Sequence, residues 1–327
     1  MKTRKNQRFF VSQKSKISVK IKLIISDLFS KIKKQKFDTI IFNPPYLPQD
    51  RGIKDLTLYG GQRGFETLER FLNQVNNYLK DDGIILIVFS NLTQKNQVDF
   101  ILEKNLLDFE LLEKLKLPMF EELYCYSIKK SDALKQLNKK VKNIQYLAHG
   151  KRGMIYTAKY KGKKIALKVK KKSSEALGRV QNEALWLEKI NQKKIGPKLL
   201  FHNHNYLAYE FIEGDFIMDF IEKNKSQKTK IKNILKKVLE QCFVLDQLKI
   251  DKEEMHHPLK HVIVKYPQVT LIDFERMHQV ESPHNVTQFI QFVTVIRKLD
   301  QKKMIELAKE YKAAMTKANL NKIIKAV

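Results

Sequence analysis

The chain has 327 residues, enough for two domains, and 43% of them are hydrophobic, which excludes a wholly disordered polypeptide. Sixty-three Lys and Arg against 35 Asp and Glu leave a formal net charge of +28. The Lys residues are spread along the whole length, which points either to solvated faces or to affinity for RNA, ribosomes or another polyanion.

Two cysteines, Cys125 and Cys242, both inside apolar runs, exclude a disulfide framework and a cysteine zinc site and read as buried thiols. Residues 1–20 are basic, contain no acid and read as a poorly ordered arm without a secretory apolar region. The apolar runs are of strand length, so no membrane partner and a cytoplasmic location are expected.

Lys22–Ile25 and Asp38–Phe42 read as short buried parallel strands. The Gly-rich stretch Gly60–Gly64 leads into a helix with Leu68, Phe71, Leu72, Val75, Tyr78 and Leu79 on one face. Asp81-Asp82-Gly83 is expected to stop that helix, and Ile84–Phe89 to form the next strand of a right-handed βαβ unit. A helix near 94–105 and a closing strand over Phe120–Ile128 follow, and the polar stretch 131–142 is expected to be a linker.

Beyond it, Met154–Tyr160 and Lys163–Lys170 read as strands joined by a Lys161-Gly162 hairpin turn. Ser173-Ser174-Glu175 opens an amphipathic helix carrying Ala176, Leu177, Val180, Ala184, Leu187 and Ile190. Strands over Lys198–Phe201 and Tyr206–Phe211 come next, then mostly helices, the longest over Thr229–Leu248. Strands followed by helices imply two lobes, 143–213 and 214–327.

Asn43-Pro44-Pro45-Tyr46 sits directly after a predicted strand. Two prolines stiffen the loop and leave its carbonyls free to accept, Asn43 both donates and accepts, and Tyr46 offers a flat face. Such a loop can hold a planar amine with its lone pair aimed at a methyl carbon. With Ile25-Ser-Asp27-Leu-Phe29 and Tyr59–Glu66, the tetrapeptide resembles the S-adenosylmethionine-dependent N-methyltransferases of the HemK type. The resemblance implies a Rossmann-like sheet over 21–130, methylation of a glutamine or nucleic-acid amine, target binding by Asn43, Pro44, Pro45 and Tyr46, and Asp27 near the adenine of S-adenosylmethionine. It also implies a Gly-rich cofactor loop upstream of these motifs, which this chain does not contain. The segment is therefore expected to be an incomplete Rossmann-like sheet, either a remnant or one completed by a partner chain.

His149–Tyr156 passes between strands with Gly150 and Gly153 three apart, as a phosphate-covering loop does. Lys168 follows on the next strand, Glu183 on the following helix, Glu210 at a lobe-connecting segment and Asp273 at a strand end. In this order they resemble the small archaeal atypical protein kinases of the RIO and KEOPS-associated groups. The resemblance implies a two-lobed α+β domain using ATP and Mg²⁺ on a protein substrate. Gly150, Gly153, Lys168, Glu183 and Glu210 would bind nucleotide and Asp273 the metal. Counting from the strand Val262–Val264 places His256 at the catalytic aspartate position and His261 at the second metal-binding position. Asp251 is a second carboxylate near that loop. The alternative is a non-catalytic pair that holds RNA or a ribosomal factor through its basic surface.

Overall fold

The computed structural model describes residues 21–50, 52–53, 55–150, 153–171 and 179–327. The expected basic arm, Lys151 and Arg152 of the glycine-bearing loop, and the helix start at Ser173-Ser174-Glu175 with Ala176 and Leu177 lie outside the described residues. The fold is mixed α/β.

The first half comprises β1 (Phe37–Phe42), β2 (Leu47–Pro48), β3 (Tyr59–Gly61), α1 (Glu66–Val75), β4 (Leu79–Ser90), α2 (Lys95–Lys104), β5 (Leu107–Lys116) and β6 (Glu122–Lys130). Its sheet runs β1-β4-β6-β5, with β1 and β4 parallel and the remaining pairs antiparallel. The stripe Leu68, Phe71, Leu72 and Val75 of α1 is buried in one cluster with Ile85, Ile87, Phe89 and Tyr126 of the sheet. That burial is the packing expected of an amphipathic helix laid on a half-covered sheet.

Two local expectations change, and one strand has no counterpart in the sequence reading. Lys22–Ile25 is not a strand: Leu23 and Ile25 are 83% and 85% exposed. Apolar composition alone does not make a strand: this segment joins no ladder, although β1 pairs only with β4 among the described residues and leaves its other edge open. Asp81-Asp82-Gly83 lies inside β4, where a side chain on Gly83 would come within 2.9 Å of the Asp38 carbonyl oxygen. β5 escapes a reading by periodicity because its Leu, Glu and Lys spacing suits a helix as well. Pairing with β6 decides it, leaving Leu111, Leu112 and Leu115 half exposed.

The stretch expected as an open linker forms α3 (Asp132–Asn138), capped by Ser131, whose hydroxyl accepts the Leu134 amide. Its Ala133, Leu134 and Leu137 are buried together with Leu106 of the first half and with Met154, Tyr156 and Leu167 of the second. The two halves thus share a small core.

The second half opens with β7 (Lys142–His149), β8 (Gly153–Tyr160), β9 (Lys163–Lys170), α4 (Arg179–Asn191), β10 (Leu199–His202) and β11 (Tyr206–Glu210). Their antiparallel sheet runs β10-β11-β9-β8-β7. One face meets α3; Leu207 and Tyr209 join a larger cluster with α4 and the following helices. The helical part holds β12 (Asp215–Phe216), α5 (Ile217–Lys223), α6 (Lys228–Gln247), β13 (Ile250–Asp251), β14 (Val262–Lys265), β15 (Gln268–Leu271), β16 (His278–Gln279), α7 (Asn285–Arg297), α8 (Gln301–Ala313) and α9 (Lys317–Ala326). No helix among the described residues is long and apolar enough to cross a membrane.

Candidate functional site

In the first half the tetrapeptide follows β1 at its carboxyl end, the edge where ligands collect in parallel sheets. Asn43 is exposed, Pro44 is buried, and Pro45 and Tyr46 are half-buried. Gly60 and Gly64 press directly on this backbone. A Cβ on Gly60 would lie 2.5 Å from the Pro45 carbonyl oxygen, and one on Gly64, at φ +89°, 2.5 Å from that of Tyr46. The Gly-rich stretch is therefore a clamp on the tetrapeptide as well as the entry to α1, a role its sequence context does not reveal. Thr93 Oγ1 donates to the Tyr46 carbonyl at 2.9 Å, whereas no backbone hydrogen bond reaches the Pro44 carbonyl among the described residues.

Asp27 lies beside the same loop and accepts a 2.5 Å hydrogen bond from Arg70. Asp27, Phe29, Phe42, Pro45, Tyr59 and Phe71 line a cavity of about 790 Å³. A carboxylate among flat apolar walls suits an adenine-bearing group such as S-adenosylmethionine, whose reactive methyl would be supplied by the bound cofactor.

In the second half Lys168 is 8% exposed on β9. Its ammonium donates to Glu183 at 2.6 Å, Glu275 at 3.1 Å and Asp273 at 3.2 Å. Burial pulls the Lys168 pKa down, but these three carboxylates outweigh it and hold the group charged, well above the ordinary lysine value. Glu183, 2% exposed, also accepts the Phe274 amide. Burial would raise the Asp273 carboxyl, yet Lys168, Lys252 and His261 keep it below the usual range. Asp273 sits at φ +62°, a strained value for a non-glycine residue. Oxygen atoms of Glu183, Asp273 and Glu275 come within 4.8 Å of one another, a donor set that suits a hard divalent cation such as Mg²⁺.

Gly150 and Gly153 close the β7–β8 hairpin through a 2.9 Å bond from the Gly150 amide to the Gly153 carbonyl. A Cβ on Gly153, the first residue of β8, would lie 3.3 Å from Lys168 Cγ, so the start of β8 packs against the lysine stem. Glu210 is not brought to the cluster. It stands opposite Ile165 at the end of β11 and is exposed, and strand alternation turns it away from the face of Lys168. Tyr209 takes the inward position, its phenol pKa raised by burial and then by Glu183.

The loop after β13 departs most from expectation. His256 is exposed and its ring meets His257, 4.6 Å away between centroids. Asp251 is buried and faces the Glu253 amide and His284. In their place stand Lys252 and Glu254, which the sequence reading missed. Buried Lys252 donates to the Asp273 carbonyl oxygen at 2.9 Å and to His261 Nδ1 at 3.3 Å. Burial pushes its pKa down to about 8. Glu254 accepts from Arg276 at 2.5 Å and faces His261 Nε2 at 3.2 Å.

Burial, then Lys252, lowers the His261 pKa and keeps the imidazole neutral, with Nδ1 accepting from Lys252 and the proton on Nε2 facing Glu254. Both nitrogens are then engaged, and His261 is not among the groups close enough to share a metal ion. Counting back from Val262–Val264 thus reaches a histidine, His256, that the fold turns to solvent. Two adjacent acids at 253–254 before a β-strand were the available signal.

Comparison with known proteins agrees with the first half. Residues 11–116 match the methyltransferase small domain. A putative protein N5-glutamine methyltransferase of Methanocaldococcus jannaschii is 39% identical over 111 residues, 32% of this chain and 55% of that protein. A ribosomal protein uL3 glutamine methyltransferase of Francisella tularensis is 28% identical, covering 24% of this chain and 28% of the relative. A release factor glutamine methyltransferase of Aquifex aeolicus is 29% identical, covering 27% and 34%. The chain thus spans about half or less of the curated relatives it matches. A chain of the E. cuniculi Mtq2–Trm112 complex is 26% identical over 33% of this chain and 60% of that one, with a TM-score of 0.29, too low to carry a structural argument. The N-terminal part is a methyltransferase small domain resembling the glutamine methyltransferases.

Proposed function

We propose that the second half is an ATP-dependent phosphotransferase of the atypical protein-kinase kind, fused to a methyltransferase-like half that binds a protein side-chain amide. The observation that carries the first part is the Lys168–Glu183 ion pair at 2.6 Å, with Asp273 beside it and Gly153 packed against the lysine stem. A buried lysine held charged next to carboxylates that suit a divalent cation is an arrangement that can neutralise transferring phosphates. The reading implies ATP–Mg²⁺ as co-substrate and a protein acceptor. The chain's net charge favours a setting near RNA or the ribosome.

The test is a thermal-shift titration with ATP–Mg²⁺. Binding raises the melting temperature of the parent chain, and D273A abolishes the shift while remaining folded. A parent melting temperature indifferent to saturating ATP–Mg²⁺ overturns the proposal.

For the first half, the clamped tetrapeptide, whose Pro44 carbonyl receives no backbone hydrogen bond among the described residues, supports capture of a planar amide, the group named for the glutamine methyltransferase relatives. Calorimetry with S-adenosylmethionine tests whether this chain binds the methyl donor alone. If no heat is seen, a second polypeptide is the alternative source of that function, and the edge strand β1, with Ile41 75% exposed, offers a pairing surface.

A further inference from the structure

Beside Asp273, the loop Lys252-Glu253-Glu254 forms a second polar group that neither the motif count nor the relatives point to. Glu253 and Glu254 both occupy the left-handed backbone region, at φ +60° and +58°. Two successive non-glycine residues there are costly and persist only where neighbours hold them. Those neighbours are visible. The Lys252 amide donates to Asn285 Oδ1 at 2.8 Å and the Met255 amide to Gln288 Oε1 at 3.0 Å, both on α7. Asn285, fully buried, is fixed in turn by Asp246 at 2.8 Å. Met255 is buried and anchors the far side of the loop.

The result is a carboxylate held at two points, one of them braced by Lys252. Arg276 holds one Glu254 oxygen and His261 faces the other, and Lys252 joins His261 to the Asp273 carbonyl. Glu254 keeps 39% of its side chain exposed, so it is open to an incoming group. His256, two residues on, is turned to solvent. A general base is oriented by neighbouring groups and reachable by the acceptor; Glu254 is oriented by Arg276 and His261 and keeps an exposed side chain.

Resting on the phosphotransfer reading, we propose that Glu254 is the catalytic base that takes the proton from the acceptor hydroxyl, with His261 and Arg276 positioning it. In the step, the acceptor oxygen forms a bond to the γ-phosphorus while the bond from that phosphorus to the bridging oxygen breaks. The bond's electron pair leaves on ADP. Glu254 receives the hydroxyl proton and returns it to solvent after the phosphorylated acceptor departs.

The experiment uses the full chain with γ-labelled ATP and Mg²⁺, reading label transferred to the protein and label released to water. E254Q keeps the ATP-induced thermal shift of the parent and loses about 10²–10⁴-fold in turnover. E254D recovers part of that loss, and H256A stays within about threefold of the parent. The inference falls if E254Q turns over at the parent rate, or if H256A produces the loss instead. It also falls, with the binding reading intact, if the parent binds ATP–Mg²⁺ but neither labels itself nor releases phosphate. Absence of any ATP-induced shift removes the phosphotransfer reading and this inference with it.

Discussion

Replacing Lys168 by Met tests the central cluster through stability, independently of any substrate. The substitution keeps the apolar stem that Gly153 covers but deletes the cation between Glu183, Glu275 and Asp273. Glu183 has a side chain 3% exposed, and its remaining partner is the Phe274 amide at 3.3 Å. Removing one partner of a buried pair typically costs about 3–5 kcal/mol because the other charge stays buried. The Asp273 side chain is 40% exposed and can be screened by water, so the lower end, about 3 kcal/mol, is expected. With a urea slope of roughly 2–3 kcal/mol/M, the midpoint falls by about 1–1.5 M.

The assay is intrinsic fluorescence, because the single tryptophan, Trp186, lies on α4 three residues from Glu183 and packs on the same core. Trp186 thus reports this half alone, which matters where two cores need not melt together. Acidification supplies a second check. In the variant, Glu183 is buried without its cation, so protonating it on lowering the pH narrows the gap to the parent. A K168M midpoint within 0.3 M or so of the parent, or a gap that widens toward pH 5, refutes the reading of Lys168 as the charge that permits this cluster.

Further outcomes follow from the same geometry. Lys252 has a folded pKa near 8, against about 10.4 in the unfolded chain, so the unfolded state binds more protons between those values. Its contribution to stability therefore rises as the pH goes from 8 to 10, and K252M removes that part of the slope in paired urea titrations. His261 is also depressed, so its contribution is full above the unfolded value of about 6.5 and is lost as the pH falls below it; H261N flattens that limb. G64A forces a Cβ against the Tyr46 carbonyl at a φ of +89° and lowers stability by roughly 2 kcal/mol or more, read as a drop in melting temperature of the first half. N285A orphans the Lys252 amide and leaves Asp246 short of a partner; turnover falls while the ATP-induced thermal shift is kept.

Much of the architecture was legible from local chemistry. The stripe of α1, the Lys161-Gly162 hairpin and the long α6 each carry their signal within a few turns of chain, and each lies close to where it was expected. The Asn43–Tyr46 loop and the order Lys168, Glu183, Asp273 were likewise readable, because residue type and succession are properties of the chain itself. Partnership was not readable. Lys22–Ile25 has strand composition but joins no ladder, while β5 has helical spacing and becomes a strand by pairing with β6. α3 is polar enough to pass for a linker, and only the core shared by both halves buries its Leu134 and Leu137.

The same division separates the two candidate bases. Counting residues assigned the role to His256, since spacing assumes a loop of standard length. Asn285 and Gln288, more than 30 positions downstream, set the backbone of the real loop and turn Glu254 toward His261 while His256 faces water. Residue order along the chain thus suggested a chemistry for each half. Which side chains the loop after β13 presents depends on hydrogen bonds between distant segments, and those exist only once the chain has folded.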